Sequence, residues 1–205
     1  IFVRNATEAI NLVAHTWGWM NIGRAVAIVR TEMVHHSNLV PWQILAQAKD
    51  ADLEFVPFDE EGRLIMDSWE VLLRTGPKLV AFTHKSNALG TLNDVKTMVD
   101  QAHAAGALVL IDGAQAVPHL PVDVQDLGAD FYAFSGHKML APAGSGALWA
   151  RRELLEEMPP FMSGGDMISS VHLRHTTYNE IPHKFEAGTP AVSSAIGLGA
   201  AVDYL

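Results

Sequence analysis

The sequence predicts an α/β fold, a mostly parallel central sheet with helices on both faces. Three observations carry this expectation. Short apolar runs alternate with segments of helical period along nearly the whole chain. Repeated β-α-β units of this kind build a parallel sheet covered on both sides, with right-handed crossovers. Polar clusters at 5–8, 83–87, 112–115 and 135–138 fall at or near the ends of apolar runs. In such sheets ligands bind outside the carboxyl ends of the strands.

Taken in order, Ile1-Phe2-Val3 is strand-like, and Ala6 to Trp17 has helical period with Ala9, Ile10, Val13 and Ala14 on one face. Ala25 to Val29 reads as a short buried strand. Asn38 to Lys49 reads as a helix with Asn38 as its cap, and Pro41 is tolerated in the first turn. Leu53 to Pro57 is a strand, Asp59-Glu60-Glu61-Gly62 a turn and Asp67 to Arg74 a short helix. Lys78 to Phe82 is a strand leading into Thr83-His84-Lys85-Ser86-Asn87. Asp94 to Ala105 is a helix closed by Gly106. Strands follow at Ala107 to Ile111, Asp130 to Phe134 and Gly146 to Ala150, the last open to either direction. Gly164-Gly165 and Ser169 to Pro182 read as a long surface excursion, and Val192 to Leu205 as the last helix.

Composition narrows the classes of function. The 205 residues are 49% hydrophobic and 18% charged, which is a folded globular composition with enough chain for one sizeable core. The net charge is -9 with both signs interspersed and no basic stripe, which argues against nucleic acid as a partner. No apolar run approaches a membrane span, and no signal-peptide pattern is visible. There are no cysteines, so these residues hold no disulfide, no thiolate metal site and no cysteine nucleophile. The opening without Met and the close inside a helical pattern are expected of a fragment of a longer chain.

The chemistry is concentrated at two strand ends. Leu110-Ile111-Asp112-Gly113-Ala114-Gln115 ends an apolar run in an acid. Phe134-Ser135-Gly136-His137-Lys138 ends another in a lysine, beside Gly136, Pro142 and Gly144. An Asp and a Lys on neighbouring strand ends grip a flat cofactor from two sides. Pyridoxal phosphate (PLP) needs that arrangement: an amine for the Schiff base and a carboxylate to keep the pyridine nitrogen protonated. Gln115 is placed to bond the phenolic oxygen. Thr7 and Glu8 open a helix whose free N–H groups, with the Thr7 hydroxyl, make a phosphate cradle. An ordinary capped helix accounts for the same residues. Ser135 and His137 flank the lysine and are placed to hold the same phosphate, and an imidazole of His35-His36 to stack on the ring. Neither a Walker P-loop nor G-x-G-x-x-G occurs. His172 and His175 have i, i+3 spacing, but nothing adjoining supports a metal, and none is expected.

Six stretches in order give a resemblance. They are Asn5-Ala6-Thr7-Glu8-Ala9-Ile10-Asn11-Leu12, His35-His36-Ser37-Asn38-Leu39-Val40-Pro41-Trp42, Thr83 to Thr91, Asp112 to Ala116, Phe134 to Lys138, and Phe185-Glu186-Ala187-Gly188-Thr189-Pro190. With these the chain resembles the large domain of class V aminotransferase-family PLP enzymes, and more narrowly the SufS-type cysteine desulfurases and selenocysteine lyases. The resemblance implies the aspartate aminotransferase-like fold type I. It makes residues 1–205 the PLP-binding large domain, without the N-terminal segment and the C-terminal small domain.

Roles follow from the resemblance residue by residue. Lys138 would bind the cofactor aldehyde and shuttle protons, Asp112 would pair with the pyridine nitrogen, and His35 would stack on the ring. Gln115 and Asn87 would lie near the phenolic oxygen. Thr7, Ser135 and His137 would hold the phosphate, and Thr189 would reach the phosphate of the partner subunit in a homodimer. The implied reaction takes L-cysteine, or selenocysteine, to L-alanine in a cytoplasmic enzyme and passes sulfur as persulfide to an acceptor protein for iron-sulfur cluster assembly. The nucleophilic Cys and the Arg that clamps the substrate carboxylate would lie beyond Leu205. Val34 stands where relatives often have Glu, and Ala141-Pro142-Ala143-Gly144 varies the usual Gly-Pro-Thr-Gly. Two alternatives stay open: another class V PLP enzyme, such as an epimerase, kynureninase or aminotransferase, and a non-catalytic domain that kept the fold.

Overall fold

The computed structural model describes residues 1–205. Its strands are β1 (Phe2–Val3), β2 (Ala27–Thr31), β3 (Asp52–Val56), β4 (Leu79–Thr83), β5 (Leu108–Asp112), β6 (Phe131–Ser135), β7 (Gly146–Ala150), β8 (Ile168–His172) and β9 (His175–Tyr178). The helices are α1 (Ala6–Val13), α2 (Trp19–Asn21), α3 (Val40–Lys49), α4 (Met66–Leu73), α5 (Val95–Ala104), α6 (Arg152–Glu157) and α7 (Val192–Tyr204). β1 to β7 form one seven-stranded sheet in the order β1-β7-β6-β5-β4-β2-β3. β3, β2, β4, β5 and β6 are mutually parallel, and β7 runs antiparallel to both of its neighbours. This is the expected fold class, and β7 settles the strand whose direction the sequence left open.

The central strands β4, β5 and β6 are mainly apolar because both of their faces are covered. Along β4, Leu79 and Ala81 pack with α1, Ile28, Trp42, Leu110 and Phe131 on one face. Val80 and Phe82 pack with Trp69, Met98, Val109, Ile111 and Tyr132 on the other. This is the period of two that a pleated strand imposes. It carries Thr83, Asp112 and Ser135 to the α1 side of the sheet, each two residues beyond a core residue on that side.

The winding direction decides where a ligand fits. From β2 the chain steps outward to β3, then crosses back to β4 on the other side of β2 and continues through β5 to β6. The reversal opens a crevice at the carboxyl ends of β2 and β4, the usual ligand position in open α/β sheets.

Several expectations are refined. β4, β5 and β6 each lie one residue later than the apolar runs predict, because pairing continues through Thr83↔Asp112 and through Phe134 and Ser135 against β7. β2 begins late because Ala25 takes a left-handed turn with φ 55. The first helix does not stop at Trp17 but widens into a π turn over Ala14–Gly18 and continues as α2. Gly18 permits this against α3, since a Cβ there would lie 2.7 Å from Leu45.

Asn38 does not cap α3. A short 3-10 turn over His36–Asn38 precedes that helix, and the Asn38 Oδ1 accepts the indole N–H of buried Trp42 at 2.8 Å. The surface excursion contains the β8–β9 hairpin, in which His172 and His175 face each other as a cross-strand pair. No helix is long and apolar enough to cross a membrane.

Candidate active site

Five segments at the carboxyl edge of the sheet carry the candidate residues. The first is the α1 N-terminus. Asn5 caps the helix by accepting the Glu8 N–H on its Oδ1 at 3.0 Å, and the Ala6 N–H donates to Ser135 Oγ at 2.9 Å. That second bond ties α1 to the end of β6. Thr7 is left exposed, with its hydroxyl and its N–H free of intramolecular partners, on a polar cleft of about 610 Å³ that Asn5, Asn11 and His15 also line. Glu8 is different. Its N–H serves the cap, and its buried carboxylate takes the Arg4 guanidinium at 3.0 Å and the Arg4 N–H. Glu8 therefore closes the first turn and offers the cleft no free donor.

The second segment follows β6. Ser135 is buried. With one lone pair used by Ala6, its hydroxyl hydrogen remains to donate. Gly136 has no room for a side chain, since a Cβ would lie 2.3 Å from Ser145 Oγ. Its N–H donates to the Ser145 carbonyl at 2.7 Å, which pins a 3-10 turn over Gly136–Lys138. The turn leaves His137 exposed and Lys138 half-buried.

The third segment is the end of β5, where Asp112 is 4% exposed. Its Oδ1 accepts the Ala114 N–H at 3.0 Å, and Oδ2 receives no hydrogen bond from the protein. Burial pushes the carboxyl above the usual aspartate range. The Ala114 N–H and the nearby charges of Lys138 and His35 pull it back down. Lys138 and His35, both singled out from the sequence, are thus among the charges that act on this carboxyl. Gln115 lies half-buried one turn further on.

The fourth and fifth segments follow β2 and β4. His35 is exposed, and its Nδ1 accepts the Ser37 N–H at 3.1 Å and lies 2.8 Å from the Ser37 hydroxyl. The ring is thereby fixed on one edge, with the His36 ring 5.7 Å away and tilted by 53°. Asn87 sits exposed on the turn after β4, which Ser86 holds through its N–H to the Thr91 carbonyl at 2.8 Å. Thr189 stands apart from the Asp112 cluster, exposed on the rim of a mainly apolar cavity of about 570 Å³ between β1, α1 and the start of α7.

Two side chains escaped the sequence reading although their neighbours did not. His84 and Tyr132 lie beneath Asp112 on the opposite face of the sheet, with His84 Nδ1 2.9 Å from the Tyr132 hydroxyl. Gly113, next to Asp112, was the available signal. A Cβ there would lie 2.0 Å from the Tyr132 ring.

A buried carboxylate with an open oxygen, a lysine charge acting on it and a helix N-terminus tied to Ser135 are features that a flat, cationic, phosphorylated group requires. PLP meets each requirement, since its pyridinium N–H suits the Asp112 Oδ2 and its phosphate suits Thr7 and Ser135.

The chain belongs to the aminotransferase class-V family, whose model matches residues 1–205. Within it, the sequence is 51% identical to a probable cysteine desulfurase of Streptomyces coelicolor over the whole chain and 50% of that protein. It is 47% identical to a cysteine desulfurase of Haloferax volcanii, again over the whole chain and 48% of the relative. Solved cysteine desulfurases from Escherichia coli and Thermococcus onnurineus superpose on all of it with TM-scores of 0.96 and 0.95, at 38% and 41% identity, each over 51% of its own length. The chain thus spans about half the length of the relatives it matches. The fold is the type I fold of PLP-dependent transferases.

Proposed function

We propose that the protein to which these residues belong is a PLP-dependent cysteine desulfurase of SufS type. It would take L-cysteine to L-alanine and pass the sulfur as persulfide to an acceptor protein for iron-sulfur cluster assembly. The observation that carries the reading is Asp112. A buried carboxylate with one oxygen unmatched is costly unless a cation meets it, and here it stands at the carboxyl edge of the sheet with the charge of Lys138 acting on it. The names of the class V relatives and the order of the six motifs support the choice of substrate.

The side chains divide the work. Bound PLP supplies an electron-withdrawing pyridinium conjugated to the substrate nitrogen. Asp112 would keep the ring nitrogen protonated, His35 would stack on the ring, and Gln115 and Asn87 would lie near the phenolic oxygen. Thr7, Ser135 and His137 hold the phosphate. Lys138 anchors the aldehyde through its amine. With substrate bound, the free Lys138 amine would take the α-proton of cysteine and later return a proton. A thiolate then attacks the substrate sulfur: an S–S bond forms, the C–S bond breaks, and the carbon skeleton leaves as alanine after protonation. Residues 1–205 contain no cysteine, so that thiolate comes from elsewhere in the protein. Thr189 would serve the partner subunit's phosphate, which makes the enzyme a homodimer.

Borohydride trapping tests the cofactor and anchor together. The full-length protein is incubated with PLP, reduced, digested and mapped by mass. A pyridoxyl group on Lys138, lost in Lys138→Ala, is expected, and labelling elsewhere overturns the assignment. Alanine formed from L-cysteine mole for mole with persulfide tests the reaction. Bound PLP without alanine points to another class V activity.

A further inference from the structure

Beneath Asp112 the sheet holds a polar pair that the proposed chemistry does not use. Tyr132 is 1% exposed and His84 8% exposed, in an otherwise apolar layer of Phe82, Ile111 and Val109. Their rings meet edge to face at 88°, and the hydroxyl lies 2.9 Å from Nδ1. Both ends of the pair bear on Asp112. The His84 backbone N–H donates to the Asp112 carbonyl at 3.0 Å. The Tyr132 ring lies directly under Gly113, where it excludes even a methyl group. On the next residue, Gly113 N–H donates to the Ala133 carbonyl at 2.8 Å, and the Ala114 N–H reaches back to the Asp112 carboxylate. The short turn that aims the carboxylate therefore rests on the phenol, and the phenol is held in place by the histidine.

We propose that Tyr132 and His84 are positioning residues for Asp112: their hydrogen-bonded pair is the floor of the Asp112–Gln115 turn and sets how tightly the carboxylate holds the ring nitrogen of PLP. The inference rests on the PLP reading of the site. Its electrostatic sense is simple. Burial favours neutral forms of both rings, and the Asp112 charge further discourages ionisation of Tyr132. A neutral phenol donates to a neutral imidazole, so no cation stands behind Asp112 to compete with the cofactor in front of it. The charge of Lys138 acts on Asp112 from the turn after β6.

The test uses the full-length protein. PLP affinity, the pH midpoint of the bound cofactor's absorbance and the melting temperature are measured for wild type, Tyr132→Phe, His84→Leu and His84→Asn, each also in an Asp112→Asn background. Tyr132→Phe and His84→Leu are expected to weaken PLP binding by about three- to tenfold, the worth of one buried hydrogen bond, and to shift the midpoint. His84→Asn retains an acceptor at the Nδ1 position and is expected to stay within about twofold of wild type. In the Asp112→Asn background all of these effects should vanish, because the coupling runs through the carboxylate. Lower melting temperatures with unchanged affinity and midpoint, or equal effects in both backgrounds, would overturn the proposal and leave the PLP reading standing. A wild-type protein that traps no PLP on Lys138 would instead remove the reading itself, and this inference with it. If Tyr132→Phe does not fold, the contrast between His84→Leu and His84→Asn decides alone.

Discussion

Two buried aspartates stand at opposite ends of neighbouring strands and are treated in opposite ways. Asp130 precedes β6 at the amino edge of the sheet. Its Oδ2 takes the Val109 N–H at 2.7 Å and His103 Nε2 at 2.8 Å, and its Oδ1 takes Arg151 Nε at 3.0 Å. Arg151 also donates to the carbonyls of Ala129 and Gly128, which locks β5, β6 and β7 together. Asp112, at the carboxyl edge of β5, has one hydrogen bond and an open oxygen. A carboxylate that serves the fold is satisfied by the fold. One that serves a ligand is left short, and its burial becomes useful only when a cation arrives.

The sharpest break of this comparison is Asp112→Asn. In the full-length enzyme it should lower turnover by about 10²–10³-fold, the usual effect of losing one preorganised electrostatic contact. The same change should not destabilise the apoprotein. Because burial raises the Asp112 pKa, the folded apo state holds its proton more tightly than the unfolded state. Stability therefore falls as pH rises above the ordinary aspartate value of 3.8, and the cost is complete above the raised folded value. Asn removes that slope. Urea melts of both apoproteins across this window, with alanine production as the companion measurement, check both halves.

Asp130→Asn should give the mirror image. Removing the charge from a satisfied buried cluster costs roughly 2–4 kcal/mol, and PLP affinity should stay within about twofold. A loss of affinity comparable to the loss of stability would mean that the two ends of β5 and β6 are coupled.

Arg30 extends the comparison to a cation. It lies on β2, fully buried, with only a 3.4 Å contact from Nη1 to the Leu39 carbonyl and the Phe55 ring 5.6 Å away. Nε and Nη2 have no partner, and burial lowers its pKa to about 9. Unlike Asp130 it has no ion-pair partner to offset the cost. Arg30→Leu should raise stability by roughly 1–3 kcal/mol in denaturant melts. A loss of stability would reveal an anionic partner in the full-length protein.

Much of this was legible in the sequence, for a physical reason. A parallel sheet covered on both sides writes itself as apolar runs, and ligand residues must follow those runs at the carboxyl edge. That rule singled out Thr7, Asp112, Ser135 and Lys138 as candidates. What pattern could not show is which polar atoms are already taken. Glu8 reads as part of an open cradle until its carboxylate is seen on Arg4. Asn38 reads as a helix cap until Trp42 claims its oxygen. Tyr132 sits inside an apolar strand and reads as core, since its hydrogen bond is to a residue 48 positions away. The β8–β9 hairpin was missed because its Ser, Thr and His residues lack the apolar alternation of a half-buried strand.

Glu8 lies between the two aspartates and gives the smallest effect. It is a buried carboxylate whose partners are a backbone N–H and a guanidinium that is 73% exposed. An exposed ion pair at i, i+4 spacing is worth about 0.3–0.5 kcal/mol and is screened by salt. The backbone contact remains when the side chain of residue 4 is removed. Arg4→Ala should therefore cost no more than about 0.5 kcal/mol in urea melts at low salt, and less in high salt. A loss several times larger, insensitive to salt, would place Glu8 with Asp130, as a carboxylate whose burial depends on its cation. A negligible loss would show that one backbone N–H and the α1 N-terminus suffice to hold a buried charge beside the phosphate cradle. Asp112, with one N–H and no helix of its own, would then be distinguished by the missing dipole as much as by the missing partner.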